Sequence, residues 1–274
     1  MKIKVVQSFC NDPYQNLALE QRLFKDFDAK RELVFMVWIN SPCVVIGRFQ
    51  NPLLECNLLE MRRHAIPLVR RCTGGGTVFH DLGNLNFSFL SPKDGHNKGE
   101  FLDFVVDYLN QLSGGLVTVY RSSRDDLMVD NCKCSGSAFR MVRDKVIHHG
   151  TLLISANLEL LRSSLKVPRE WESVIVAKGV RSVRAPVINL QEVMPKEMAI
   201  QTIADGMGVY IGERLAKRFA GEWEYMNRDE IGSLGEDENL YRSRAWIYDE
   251  TPKFTVADHD DNDLRRALQL FRGE

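Results

Sequence analysis

The order of strand-like and helix-like segments predicts an α+β fold. Three observations carry that expectation: apolar, β-branched runs follow one another as neighbours, helical patterns fall between them irregularly, and no segment repeats. The 274 residues, 44% of them apolar, leave ample chain for one large core.

Taken in order, "IKVVQSF" reads as a first strand. "NDPYQNLALEQRLFKDFD" opens like a helix, with Asp12 as cap, Pro13 in the first turn, and Tyr14, Leu17, Ala18, Phe24 and Phe27 on one face. "LVFMVWIN" and "CVVIG", split by Ser41-Pro42, read as paired strands, and "LLECNLLEMRRH" as a single second helix. "IPLVRR" is a strand that delivers Arg70 and Arg71 to a glycine loop; a strand-like Thr77-Val78-Phe79 and the strand "LNFSFL" follow. "FLDFVVDYLNQL" has helical periodicity that places Phe101, Phe104, Val105, Tyr108 and Leu109 together. "LVTVY", "DLMVD" and "KVIHHGTLLIS" are strand-like, and "PKEMAIQTIADGMGVYIGERL" is a late helix weakened by Gly206 and Gly208. The tail "DHDDNDLRRALQLFRG" puts acids first and Arg and Gly last, as the helix dipole prefers.

Bulk properties exclude several classes. A formal net charge of -1 argues against general nucleic-acid binding. No stretch of about 18 apolar residues is present, so no membrane span is expected. The first residues read as a strand rather than a targeting peptide, which points to the cytoplasm. Six cysteines (10, 43, 56, 72, 132, 134) lack both C-x-x-C spacing and a disulfide-dense pattern, so they are expected to be reduced. No cluster with metal-ligand spacing stands out.

Chemistry concentrates in two places. In "RRCTGGGTVFHD", Gly74, Gly75 and Gly76 let backbone N–H groups approach an anion, and the adjacent arginines add charged forks. The pattern is neither a Walker loop nor a dinucleotide fingerprint, and a plain hairpin turn would also explain it. In "DDLMVDNCKCSGSAFRMVRDKVIHHGTLLIS", Lys133 precedes Ser135-Gly136-Ser137, with His148-His149 downstream. Together the two clusters suggest a site that handles an acyl phosphate.

Five blocks in order, "IGRFQNPLLECN", "RRCTGGGTVFHDLGNLNFSF", "KCSGSAFR...HHGTLLIS", "KGVRSVRAPVINL" and "WIYDETPKFTV", resemble lipoate–protein ligase A and the related lipoyltransferases. The resemblance implies a biotin/lipoate-ligase-like mixed β-sheet flanked by helices, over residues 1–256, with 257–274 as a short helical tail. It implies protein lipoylation: transfer of lipoyl from lipoyl-AMP to one lysine of apo lipoyl domains or of the glycine cleavage H protein. The alternative is the complete ligase, which also forms lipoyl-AMP from lipoate, ATP and Mg²⁺. By the same resemblance, Arg71 and the Gly76-Thr77-Val78-Phe79 backbone hold the nucleotide, Arg70 contacts the acyl-phosphate end, and Lys133 is the catalytic residue. Ser135 and Gly136 line the site. His80 (with Asp81 beside it) and His149 are candidate bases, Asp126 is a candidate partner for Lys133 or the adenosine, and the 171–190 segment is a loop over the adenylate.

Two departures leave alternatives open. The residues after Val256 give no room for the accessory domain of full bacterial ligases, which raises the prospect of a separate accessory or activating subunit. Cys134 beside Lys133 and Cys72 in the glycine motif admit an octanoyltransferase using a cysteine thioester. A non-catalytic lipoate or lipoyl-AMP sensor is the reading from another class.

Overall fold

The computed structural model describes residues 1–194, 198–226 and 230–274. Strand β1 (Lys2–Gln7) leads to helix α1 (Pro13–Asp26), then β2 (Glu32–Ile39), β3 (Cys43–Ile46), α2 (Pro52–Glu55), α3 (Leu58–Arg63), β4 (Leu68–Arg70), β5 (Val78–His80) and β6 (Asn84–Pro92). Next come α4 (Lys98–Leu112), β7 (Tyr120–Arg121), β8 (Leu127–Val129), β9 (Cys132–Ser135), β10 (Ser137–Val142), β11 (Lys145–Leu153), α5 (Leu158–Leu165) and α6 (Trp171–Val174). The chain ends with β12 (Ile175–Ala177), α7 (Ile200–Arg218), β13 (Glu222–Tyr225), α8 (Gly235–Arg242), β14 (Phe254–Val256) and α9 (Asn262–Arg272). The expected α+β class is what forms.

The main sheet runs β10-β11-β6-β2-β1-β13, antiparallel from β10 to β2 and parallel from β2 to β13. Strict alternation along β2 sorts its side chains. Leu33, Phe35, Val37 and Ile39 join one core with α4 and α7, whereas Val34, Met36 and Trp38 face α1 and the smaller sheet β4-β3-β5. That smaller sheet is buried on both sides. Cys43 and Val45 face the main sheet, and Val44 and Ile46 face a third core with α2, α3 and α9. Continuous apolar sequence in "CVVI" is the signature of a strand covered on both faces.

Three expectations change. Segments β2 and β3 are strands but are not paired; they lie in different sheets, because a strand apolar on both faces sits between layers rather than beside its neighbour. The second helix is two, since the Asn57 side chain accepts from the Glu60 N–H and caps a new helix. Of "LVTVY" only Tyr120 is strand, where β7 begins. In the late helix, residues 195–197 lie outside the described residues, and helix begins at Ile200. Its glycines serve contact: a Cβ on Gly208 would come within 2.7 Å of the Tyr225 hydroxyl, and one on Gly212 within 2.8 Å of the Trp223 ring. The tail packs through Leu264, Ala267 and Leu268, with Asp261 capping α9.

Candidate active site

The glycine loop leaves β4 and returns as β5, and Arg71 shapes it from inside. The Arg71 guanidinium donates to the Gly74 and Gly76 carbonyls at 2.6 and 2.7 Å, to Val45 O at 3.2 Å and to Thr73 Oγ1 at 3.0 Å. Holding the carbonyls inward is how a short loop keeps N–H groups for the other side. At Gly75, φ is +84° and a Cβ would meet Ala138 Cβ and Arg71 Nη2 at 3.0 Å, so only glycine suits both backbone and space.

Behind the loop runs a buried relay. Thr73 Oγ1 lies 2.8 Å from His149 Nε2, and His149 Nδ1 lies 2.8 Å from Glu20 Oε1, which also accepts from Ser88 Oγ at 2.5 Å. Glu20 is fully buried in α1, one face of which it shares with apolar residues. Its position in an amphipathic helix gave no hint of this role.

Lys133 on β9 is the centre of the second cluster. Its Nζ is 2.7 Å from Asp126 Oδ1. Gly136 leaves the space that the ammonium uses, since a Cβ there would sit 2.8 Å from Lys133 Cε and Nζ. The main chain of Lys133 bonds Pro186 O and the Ile188 N–H, which fastens the 178–187 segment alongside.

Two adjoining chambers meet at Lys133. The first, about 370 Å³, has Leu17, Trp38, Val45 and Val78 as apolar wall and Arg71, Arg124, Asp126, Arg181 and Arg184, with His80 and His149, as polar groups. The second, about 520 Å³, has Leu54, Phe79, Leu153 and Leu161 as apolar wall, with Arg162, Lys166, Arg181 and Arg184 around it. Thr77, Val78, Lys133, Gly136 and the 181–185 segment border both.

The structure brings most of the expected residues together, with clear exceptions. Gly75 and Gly76 line the first chamber, Phe79 and Ser135 the second, and Asp126, His80 and His149 the first. Arg70 lines neither. It is fully buried and donates to the carbonyls of Ile247, Gly47, Arg48 and Gln50 and to Thr251 Oγ1. Each nitrogen of its fork donates to protein oxygen, and it lies outside both chambers, so it clamps the chain. Gly74 lines neither chamber and contributes its carbonyl to Arg71. Asp81 accepts from the Gly83 and Asn157 N–H groups, bracing turns beside the site.

His80 is a poor base. Burial above all, with Arg71 adding to it, pushes its pKa down to about 3, and its Nδ1 lies 3.1 Å from the Asn40 amide. Cys134 is fully buried and its Sγ donates to Leu127 O, on the core side of β9 rather than the Lys133 side. Burial pushes its thiol up to about 12. Cys72 is raised by burial too. Neither is an activated nucleophile, which removes the thioester route.

Residues that sequence reasoning missed complete the frame. Gln50 is buried; its Oε1 accepts from Thr77 Oγ1 at 2.9 Å and its Nε2 donates to Ser182 Oγ at 3.0 Å. Ser182 Oγ accepts the Thr77 N–H at 2.8 Å. Glu55 pairs with Arg181 Nε at 3.1 Å and accepts the Ser182 N–H, and burial raises its pKa. Arg48 lies 4.1 Å from the Trp246 ring centre and pairs with Glu250, and Asn51 caps α2, so both are structural.

Residues 12–210 match the model of the lipoyl protein ligase A/B catalytic domain. The chain belongs to this family. A lipoate–protein ligase A from Psychrobacter cryohalolentis is 36% identical over 261 residues, covering 93% of this chain and 75% of the relative. Among solved structures, Plasmodium falciparum LipL1 in complex with lipoate superposes with a TM-score of 0.74 at 25% identity, covering 92% of this chain and 75% of that one. A lipoate–protein ligase A bound with ATP gives 0.71 at 21% identity, covering 90% and 98%. Membership makes the chain an enzyme of the ligase and lipoyltransferase class. No described helix is long and apolar enough to cross a membrane.

Proposed function

We propose that this chain is a lipoate–protein ligase that works through an acyl-adenylate. In the first step a lipoate carboxylate oxygen attacks the α-phosphorus of ATP, and pyrophosphate leaves. In the second a protein lysine amine attacks the acyl carbon, the acyl C–O bond breaks, and AMP departs while the amine's surplus proton is released. The acceptors are apo lipoyl domains, with the glycine cleavage H protein as a second acceptor of the same kind.

One observation carries the reading: Lys133 borders both chambers, the first walled by Leu17, Trp38, Val45 and Val78 and the second carrying Arg162 and Lys166 in addition to the arginines the two share. The first chamber suits an aliphatic acyl chain and the second a nucleotide. A mixed anhydride bridging them would place its carbonyl and phosphate at Lys133, where the ammonium stabilises the oxyanion that forms on aminolysis. Preorganised donors of this kind supply about 10²–10³ in rate. Lys133 does not carry the acyl group itself, because an acyl-lysine is a stable amide. Asp126 orients it.

The basic lining supports self-adenylation. Lys133, Arg162, Lys166, Arg181 and Arg184 border the second chamber against one acid, Glu55. An acyl-adenylate carries one phosphate charge, whereas ATP brings a triphosphate. A sensor reading has no observation in its favour, since the transfer lysine is present.

Intact mass of an apo lipoyl domain tests this. With the purified chain, one sample receives preformed lipoyl-AMP and the other lipoate, ATP and Mg²⁺. The expected result is one lipoyl addition in both. Modification with lipoyl-AMP alone would make the chain a transferase served by another activating protein, and modification in neither would overturn the reading.

A further inference from the structure

Strand β10 is the outermost strand of the main sheet. Its inner edge pairs with β11, Ser137 opposite Gly150 and Val142 opposite Lys145. The Thr151 N–H donates to the Gly136 carbonyl, which sets the phase of the ladder. Ala138, Arg140 and Val142 therefore turn their N–H and C=O groups toward β11, and Ser137, Phe139 and Met141 turn theirs outward. Among the described residues none of those outward groups has a partner. Phe139 and Met141 are also 50% and 48% exposed. Proteins usually blunt such an edge with proline, a bulge or inward charge; this one keeps an even register and two apolar side chains.

Position and charge select the occupant. Ser137 and Ala138 line the first chamber, four and five residues beyond Lys133. A strand laid about 4.8 Å outside β10 would run to the cavity mouth. Arg140 and Arg143 are exposed and form no ion pair among the described residues; neither does Arg124, which borders the same chamber. A second copy of this strand would set those arginines against their own equivalents, which disfavours self-pairing. An acidic strand fits instead.

We propose that the outer edge of β10 is the docking site of the protein acceptor, which adds an acidic strand of its own to the main sheet and so brings its lysine to Lys133. This inference rests on the ligase reading, and activation and transfer are therefore measured separately.

The main variant is Met141→Pro. Proline there removes an outward N–H and no bond to β11. The readouts are lipoate-dependent exchange of pyrophosphate into ATP and transfer to an apo lipoyl domain. Exchange is expected to stay within about twofold of the parent, whereas the acceptor KM rises about tenfold, the loss of one or two net hydrogen bonds. Arg143→Glu, which leaves the backbone alone, is expected to raise the acceptor KM in a salt-dependent way. Unchanged acceptor KM in Met141→Pro with full exchange would overturn the proposal. So would a concentration-dependent dimer abolished by Met141→Pro with transfer intact, since the edge would then belong to a second copy. Absence of both exchange and transfer in the parent chain would overturn the ligase reading, and this inference with it.

Discussion

The two neighbouring arginines divide their labour. Arg71 turns carbonyls of the glycine loop inward, whereas Arg70 locks the Gly47–Gln50 turn to Ile247 and Thr251. Lysine offers one compact ammonium in place of that planar fork, so Arg70→Lys leaves buried carbonyls unmet. It should lower unfolding free energy by about 2–4 kcal/mol in denaturant titration, with the KM for lipoate changed little in what remains folded. A large rise in lipoate KM with stability intact would return Arg70 to the site. Cys134→Ser should retain transfer, because the thiol donates to Leu127 O inside the core. The motif "RR" was visible in the sequence, but which arginine faces ligand was not. Both are equally charged and both are buried; only the folded chain shows that Arg71 borders a chamber while Arg70 does not.

At the level of elements, alternation and the Asp12 cap were legible, whereas the Asn57 cap that splits the second helix was not. Asp12, Asn51, Asn57 and Asp261 each accept N–H groups at helix starts. Pairing between strands was not legible, since β3 carries apolar side chains on both faces and local pattern does not say which sheet takes it. The Glu20–His149–Thr73 relay also escaped, because it joins α1, β11 and the glycine loop, distant in sequence. The loop itself gives a prediction. Gly75→Ala meets a positive φ and two contacts at 3.0 Å, so the loop must shift. The expected result is an ATP or lipoate KM raised about tenfold, on a distortion of about 1–2 kcal/mol, with global stability reduced by no more than that.

Across the whole molecule, two buried histidines contribute to the acid response. Burial first, then neighbouring cations, pushes His80 and His148 down to about 3. The unfolded chain takes up those protons near pH 6.5 and the folded chain does not. Stability from this source is full above pH 6.5 and is lost as pH falls from there toward 3, at roughly 1.4 kcal/mol per pH unit for each histidine. His148 sits against Phe89 and His96, with Lys98 and Asp125 acting on it from farther out. His148→Phe should flatten the decline by about one proton, measured as the slope of unfolding free energy against pH between 6 and 4. An unchanged slope would mean that His148 is protonated within the folded state.

The role proposed for Lys133, where the two chambers meet, is to stabilise the acyl-transfer step. Single-turnover transfer from preformed lipoyl-AMP to an apo lipoyl domain by Lys133→Ala addresses it most directly. The expected result is a folded protein whose transfer rate falls about 10²–10³. Transfer at the parent rate in that folded variant would contradict it.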